Sequence, residues 1–455
     1  MLGAGPAGIG AAYRLAAGHQ HVVVLERARR VGGAAASFDV AGLRVDHGSH
    51  RLHPSTDAAI LSELRRLLGS DLQRRPRRGR IRLLGRWLAF PLRPADLLRW
   101  LPPRFILAAA RDAAFAPTRR PRADTFAEVL RAQLGPTLCD HFYFPYARKL
   151  WGVEPHQLAG EQARRRVSAD SPGKLLGRLL RGGRRDADVF WYPRRGFGQL
   201  WETLAAAAAG RGADIRLATT VEQVRLTGAG VEVVTDGGGC VAAGMAWSTL
   251  PLPLLARMVD PPPARAVLDA AGGLRFRAMV LVYLVLDTDR YTRFDAHYLP
   301  ESWTPVTRVS EPKNYRDSGL DPPDRTVLCA EIPCDVDDVT WRAGEEELAR
   351  LVRATLVEAG ATDPHPRQVV VRRLPSAYPV YGAGYERALA TLDAWAATVP
   401  HILTFGRQGL FVHDNSHHAL SMAWSAADAL SGDGRFDREC WADARRRFAA
   451  HVVQD

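Results

Sequence analysis

Gly3, Gly5 and Gly8, in MLGAGPAGIG, carry the spacing G-x-G-x-x-G. Such a turn presents unpaired backbone N–H groups, and the helix it opens adds the positive end of its dipole, so together they favour a pyrophosphate. Glu26 stands 18 residues beyond Gly8, where a βαβ unit places the acid that takes a ribose hydroxyl. Turn and acid therefore predict a dinucleotide site. Only Met1 and Leu2 precede the turn, whereas the strand leading into it normally takes about five residues. The expectation is that the native start lies a few residues upstream, or that the dinucleotide is held weakly.

Other residues could act beside it. DHGSHRLHPS sets Gly48, Ser49, His50 and His53 in a loop before a helix, and its imidazoles could serve as general bases, ring neighbours or structural hydrogen-bonding groups. His417 and His418 open a later helix, whose dipole favours neutral rings, and one of the two is expected to face the site. Arg194 and Arg195 could clamp a phosphate, though in this arginine-rich chain they also fit an ordinary surface. Tyr378, Tyr381 and Tyr385, in YPVYGAGY, could line a cofactor face or pack in a core. Lys149 draws notice because the chain's other lysines are Lys174 and Lys313 alone.

Several elements must position these groups. Ile9 to Ala17 reads as a helix and HVVVLE as a buried strand ending at Glu26. Ser55 or Thr56 can cap a helix whose apolar face is Ile60, Leu61, Leu64, Leu67 and Leu68, with Gly69 as its stop. From about residue 75 the chain mixes Arg, Pro and Trp with helical runs. FWYPRRGFGQLWETLAAAAAG and GMAWSTLPLPLLARM return to the nucleotide domain, RAMVLVYLVLD, TVLCAEIP and RQVVVRRLP suit an antiparallel sheet, and HILTFGRQGLFVHDNSHHAL returns once more. The reading is an α/β fold in which a discontinuous dinucleotide domain (1–74, 190–260 and 396–455) alternates with an α+β substrate domain (75–189 and 261–395).

At 455 residues and 47% hydrophobic content the chain can bury more than one core. No apolar run reaches the roughly 20 residues of a spanning helix, and no signal peptide precedes the turn, so a cytoplasmic enzyme is expected. Five scattered cysteines without C-x-x-C pairs point to reduced thiols, and no metal site is expected. The formal net charge of +12 suits a basic surface or anionic partners. The densest run, RRPRRGRIR from Arg74 to Arg82, matches no nucleic-acid module and reads as a linker or edge hairpin, so no nucleic-acid partner is expected.

Taken together, the stretches resemble the FAD-dependent superfamily of protoporphyrinogen-oxidase-like and amine-oxidase-like flavoproteins, in the branch that shades into UDP-galactopyranose mutase. ERARRVGG is similar to its acid-to-Gly-Gly motif, with Gly32 and Gly33, although Ala34 stands where a basic residue is common. Gly48, His50 and His53 resemble the mutases' G-x-H-x-x-H; Lys149, Trp151 and Gly152 resemble K-x-W-G; Gly406 and Arg407 followed by Asn415 and Ala419 resemble the carboxy-terminal FAD motif. The resemblance implies FAD in a Rossmann-like domain of the glutathione-reductase type, contacted by Gly3, Gly5, Gly8, Glu26, Gly32, Gly33, Gly48, Ser49, His50, Val221, Gly406, Arg407, Asn415, His418 and Ala419. It further implies catalytic roles for His50, His53, Lys149 and Tyr381, and substrate contacts from Arg194, Arg195, Tyr378 and Tyr385. The reaction expected is hydride removal from a small amine, alcohol or ring C–H in biosynthesis; the alternative is pyranose and furanose interchange of a nucleotide sugar on reduced flavin. WLAFPLRPADLLRW has the mixture of an interfacial helix, so peripheral membrane contact is a further expectation.

Overall fold

The computed structural model describes residues 1–166 and 189–453. Its organising element is a parallel sheet drawn from distant parts of the chain. Val23–Leu25 pairs in parallel with Asp214–Arg216, and Ala246–Ser248 with Ile402–Thr404. Leu2 bridges the two halves, pairing in parallel with both Leu25 and Ser248. The Leu2 N–H donates to Trp247 O at 2.8 Å, and the Gly3 N–H to Leu25 O at 2.9 Å. Two residues thus provide the central pairing, and the glycine turn leaves directly from it.

Helix Pro6–Ala17 packs beneath this sheet against helix Ser416–Asp428. Gly10 explains how closely they meet: a Cβ there would lie 2.6 Å from Leu420 Cδ2 and 3.2 Å from the Ala423 Cβ. Leu420 and Ala423 are fully buried at that crossing. Helix Gln199–Ala209 completes this core with Trp201 and Leu204.

A larger, mostly antiparallel sheet carries the other half of the molecule. Its order is Gln368–Val380, Arg275–Leu286, Thr326–Cys334, Arg308–Ser310, Ala296–Tyr298, Gly79–Leu83 and Arg86–Phe90. Strand Arg275–Leu286 is almost continuously apolar because both its faces are covered. Val280, Val282 and Leu284 enter a core shared with helix Glu345–Glu358, whereas Leu281, Tyr283 and Val285 pack with Phe38 and Val45 of the hairpin Ser37–Val40 and Leu43–Asp46. One strand therefore glues the large sheet to the loop region that follows the glycine turn.

One local expectation holds and another needs correction. The basic run at 74–82 lies in strands: Leu72–Pro76 pairs with Val189–Pro193, and Gly79–Leu83 forms the expected edge hairpin with Arg86–Phe90. Helix Ala58–Leu68 is capped by Asp57, whose carboxylate accepts the Ala59 and Ile60 N–H groups at 2.9 and 3.2 Å, and not by Ser55 or Thr56.

Candidate functional site

The glycine turn is shaped by close approach. Gly3 has φ of 100°, and a Cβ on Gly8 would stand 2.0 Å from Gly3 O. At Gly5, by contrast, a Cβ would meet nothing within 4 Å. Gly5 caps helix Pro6–Ala17 with no side-chain bond to its first N–H groups, unlike Asp57, Thr125 and Asp437 at other helices. Unpaired donors thus open onto free space, which fits a diphosphate. Glu26, 9% exposed, accepts the Ala4 N–H at 2.8 Å and the Ala28 N–H at 2.9 Å, so it ties the turn to the end of its strand.

Three further segments converge here. Gly32 and Gly33 have φ of 104° and 53°; the Gly32 N–H donates to Ala4 O, and a Cβ on Gly33 would sit 3.2 Å from Gly5 Cα. Gly406, φ 78°, lies so near the turn that a Cβ would stand 2.8 Å from the Ala7 Cβ. Helix Ser416–Asp428 begins at Asn415, which caps it in a capping box with His418. Ala419 is buried in its first turn, and Val221 opens strand Val221–Leu226 two residues after Thr219, whose N–H donates to Glu26 O at 2.9 Å.

The histidine loop is held from the large sheet. Glu331 Oε1 accepts the Ser49 N–H at 2.8 Å and would be 3.2 Å from a Cβ on Gly48, whose φ is 91°. Arg308 braces Glu331 with bonds of 3.0 and 2.8 Å, and Ser49 Oγ bonds the Tyr315 hydroxyl. The His50 Nε2 lies 2.9 Å from Ala34 O and 3.0 Å from His47 O, so it donates to the loop backbone. Burial pushes the His50 pKa down and keeps the ring neutral.

His53 accepts the Ser55 N–H on Nδ1 at 3.0 Å and faces His417, with ring centroids 6.3 Å apart. His417 is 4% exposed, and neither of its ring nitrogens has a hydrogen-bond partner among the described residues. Burial, and then the neighbouring His418, pull its pKa down to about 3. His418 turns instead toward Asp414 and His451. The one histidine of the pair that meets the glycine-loop side is therefore His417.

The remaining candidates divide. Arg407 donates to Ala377 O, and its guanidinium lies 5.1 Å from the Tyr378 ring centroid; Arg166 lies over the same ring at 5.1 Å. No carboxylate pairs with Arg407 among the described residues, and burial, followed by the charge of Arg166 among its neighbours, lowers its pKa. Tyr381 and Tyr385 stack face to face at 4.3 Å in a buried cluster, where the Tyr381 hydroxyl donates to Phe411 O. Lys149 spends its three ammonium protons on Leu299 O, Glu301 O and Val306 O at 2.6, 2.9 and 2.8 Å. Arg194 pairs with Asp71 at 3.2 Å, and Arg195 is exposed.

Sequence reasoning missed Arg166, Arg308, Glu331 and the buried Asp46, which accepts the Ser37 hydroxyl, the Phe197 N–H and the Tyr192 hydroxyl. Asp46 alone left a signal, standing two residues before the Gly48 motif; Arg308 and Glu331 reach the site from separate strands.

Comparison with known proteins places this arrangement. The family model described as flavin containing amine oxidoreductase matches residues 6–430. A Mycobacterium tuberculosis protein, AofH, named as a flavin-containing monoamine oxidase, is 28% identical over 276 residues, which cover 58% of this chain and 59% of that relative. The match thus spans under two thirds of the relative's length. Among solved structures, reduced UDP-galactopyranose mutase superposes with a TM-score of 0.81 at 19% identity, covering 100% of this chain and 99% of that one. Wild-type putrescine oxidase bound to putrescine superposes with a TM-score of 0.64 at 20% identity, covering 94% and 97%. At these identities the superpositions speak for the fold, a mixed α/β fold of the FAD-dependent type.

Proposed function

The chain belongs to the flavin-containing amine oxidoreductase family, and from that premise we propose that it is an FAD-dependent oxidoreductase acting on an anionic or neutral small molecule. FAD, when bound, supplies a ring that takes a hydride from a substrate C–H and passes the electrons to an acceptor. Gly3, Gly5, Gly8, Gly33 and Gly406, which pack closely on one another's segments, would hold its diphosphate, with Glu26 fixing the turn. The N-terminus of helix Ser416–Asp428 supplies positive potential, and the neutral His417 presents ring nitrogens without a hydrogen-bond partner among the described residues.

The observation that carries the substrate class is Arg407, a buried guanidinium bonded to one backbone carbonyl and, among the described residues, without a carboxylate partner. Of the nearby carboxylates, Glu331 is committed to Arg308 and Ser49, Asp295 to Arg51 and Asp46 to its three donors, while Asp414 acts on Arg407 without pairing with it and lies against His418 and His451. An alkylammonium would meet the unpaired charge of Arg407, whereas a phosphate or carboxylate would be paired by it. The same observation favours one second reading, the interconversion of a nucleotide sugar's pyranose and furanose forms without net redox change.

The test offers the FAD-loaded protein each substrate class with and without dithionite. Substrate-driven bleaching of the flavin, reversed by oxygen, supports the oxidoreductase; turnover only after reduction, with no net redox change, overturns it in favour of the mutase. Retained alkylammonium oxidation with no response to anionic substrates overturns the assignment of substrate class.

The proposal extends to peripheral contact with an anionic bilayer through helices Pro94–Trp100 and Pro103–Phe115. Leu98 and Leu107 are 70% and 71% exposed, and Trp100 and Phe115 are exposed beside them. Residues 86–122 hold eight arginines and two aspartates. Both acids face inward, Asp96 accepting the Ala89 N–H at 3.1 Å and Asp112 the Thr137 N–H at 2.8 Å. Among the described residues, no helix is long and apolar enough to cross a membrane.

A further inference from the structure

Asp414, His418 and His451 meet where the C-terminal tail crosses the start of helix Ser416–Asp428. One ligand-capable atom from each lies within 4.8 Å of the others. His418 Nδ1 stands 3.2 Å from Asp414 Oδ1, His451 Nδ1 stands 3.2 Å from Asp414 Oδ2, and the two imidazoles stack at 4.1 Å. We propose that these three side chains form a divalent transition-metal site, with zinc as the favoured ion, which clasps the tail to the helix.

An unbalanced pair of acceptors supports this. The Asp414 side chain has no exposed surface, and its Oδ1 lacks a hydrogen-bond partner among the described residues. The atom facing that oxygen, His418 Nδ1, already accepts the Asn415 N–H at 3.2 Å. While His418 Nδ1 accepts from Asn415 it carries no proton for Oδ1, so the buried oxygen is left to a cation, either a proton on the ring or a metal ion. Two imidazole nitrogens and a carboxylate suit zinc, and zinc bonds of about 2.0–2.2 Å place neighbouring ligand atoms roughly 3.4 Å apart, close to the 3.2 Å between each Nδ1 and its own carboxylate oxygen; the stacked rings, 15° from parallel, turn to bring both Nδ1 lone pairs to one ion. Entry of the ion exchanges the long Asn415 contact for a metal bond. The fourth position is left to water.

The tail is otherwise fixed lightly. The Val453 N–H donates to Arg165 O at 2.9 Å, and the His451 ring packs on Phe448 at 5.4 Å. His451 remains 17% exposed at its side chain, so an ion can arrive from solvent. Binding would stiffen the segment over Asp414.

The full-length, flavin-loaded protein is dialysed against a chelator and titrated with Co²⁺, read by its d–d absorption, and with Zn²⁺, read by calorimetry and by melting temperature. The expected result is one ion per chain at micromolar metal, with zinc displacing cobalt and raising the melting temperature. His451→Ala should weaken binding by about tenfold or more and abolish the zinc-dependent rise, while its flavin absorbance shows that it is folded. His451→Cys should restore binding with the charge-transfer absorption of a cobalt thiolate, which a merely structural histidine would not produce. His365→Ala, at an exposed histidine elsewhere, should change nothing. Absence of saturable binding, or binding undiminished in His451→Ala, overturns the proposal and leaves a proton-bound network of Asp414 with the two imidazoles.

Discussion

Single residues separate what holds the fold from what receives a ligand. A methyl group at Gly5 enters open space, whereas one at Gly8 strikes Gly3 O. Gly5→Ala should therefore leave the melting temperature of flavin-free protein nearly unchanged while raising the FAD dissociation constant about tenfold or more, the equivalent of at least about 1.4 kcal/mol. Gly8→Ala should lower stability of the flavin-free chain itself. Equal loss of stability in both variants would refute the distinction. His417 gives a pH signature. Its folded-state pKa of about 3 lies below the ordinary histidine value, so the unfolded chain binds the extra proton first and stability falls as pH drops from about 6.5 toward 3. At pH 5 this one ring accounts for about 2 kcal/mol of the loss relative to neutral pH. His417→Gln should flatten that limb in urea midpoints measured at pH 7.5 and 5; an unchanged slope would show that the other histidines depressed by burial, His47, His50, His297 and His413, carry it.

At the scale of elements, caps and close crossings make the sharpest predictions. Asp57→Ala removes two bonds to the start of helix Ala58–Leu68 and should cost about 1 kcal/mol in urea unfolding. Gly10→Val places methyl groups against Leu420 and Ala423, and overpacking of that kind costs about 1–3 kcal/mol. The glycine turn, its helix, Glu26 and the Asn415 cap were legible in the sequence because each is a local device whose residues are neighbours along the chain. The support of Gly48 and Ser49 was not legible, since Glu331 lies 282 residues from Ser49 and is brought there only by pairing within the large sheet. The hairpin Gly79–Leu83 and Arg86–Phe90 was legible in its first strand, where the basic run carries a period of two with Ile81 and Leu83 inward and Arg80 and Arg82 outward. Lys149 stood out by rarity, yet rarity carried no information about direction, and the ammonium points into a ring of carbonyls.

For the whole molecule, charge and apolar exposure coincide on one surface. The full chain should sediment with phosphatidylcholine vesicles containing phosphatidylglycerol, weaken as salt is raised, and lose binding in Leu98→Ser/Leu107→Ser. Binding to neutral vesicles alone, or none, would refute that contact. The parallel sheet bears on biosynthesis. Its strands come from residues 1–2, 23–25, 214–216, 246–248 and 402–404, so its last edge leaves the ribosome after all its other strands and after the large antiparallel sheet. The long antiparallel strands between 275 and 380 can pair before then, each to a neighbour already made. Cofactor capture is consequently a late event in the life of the chain, and a nascent polypeptide stalled before Ile402 should carry a folded middle and no flavin.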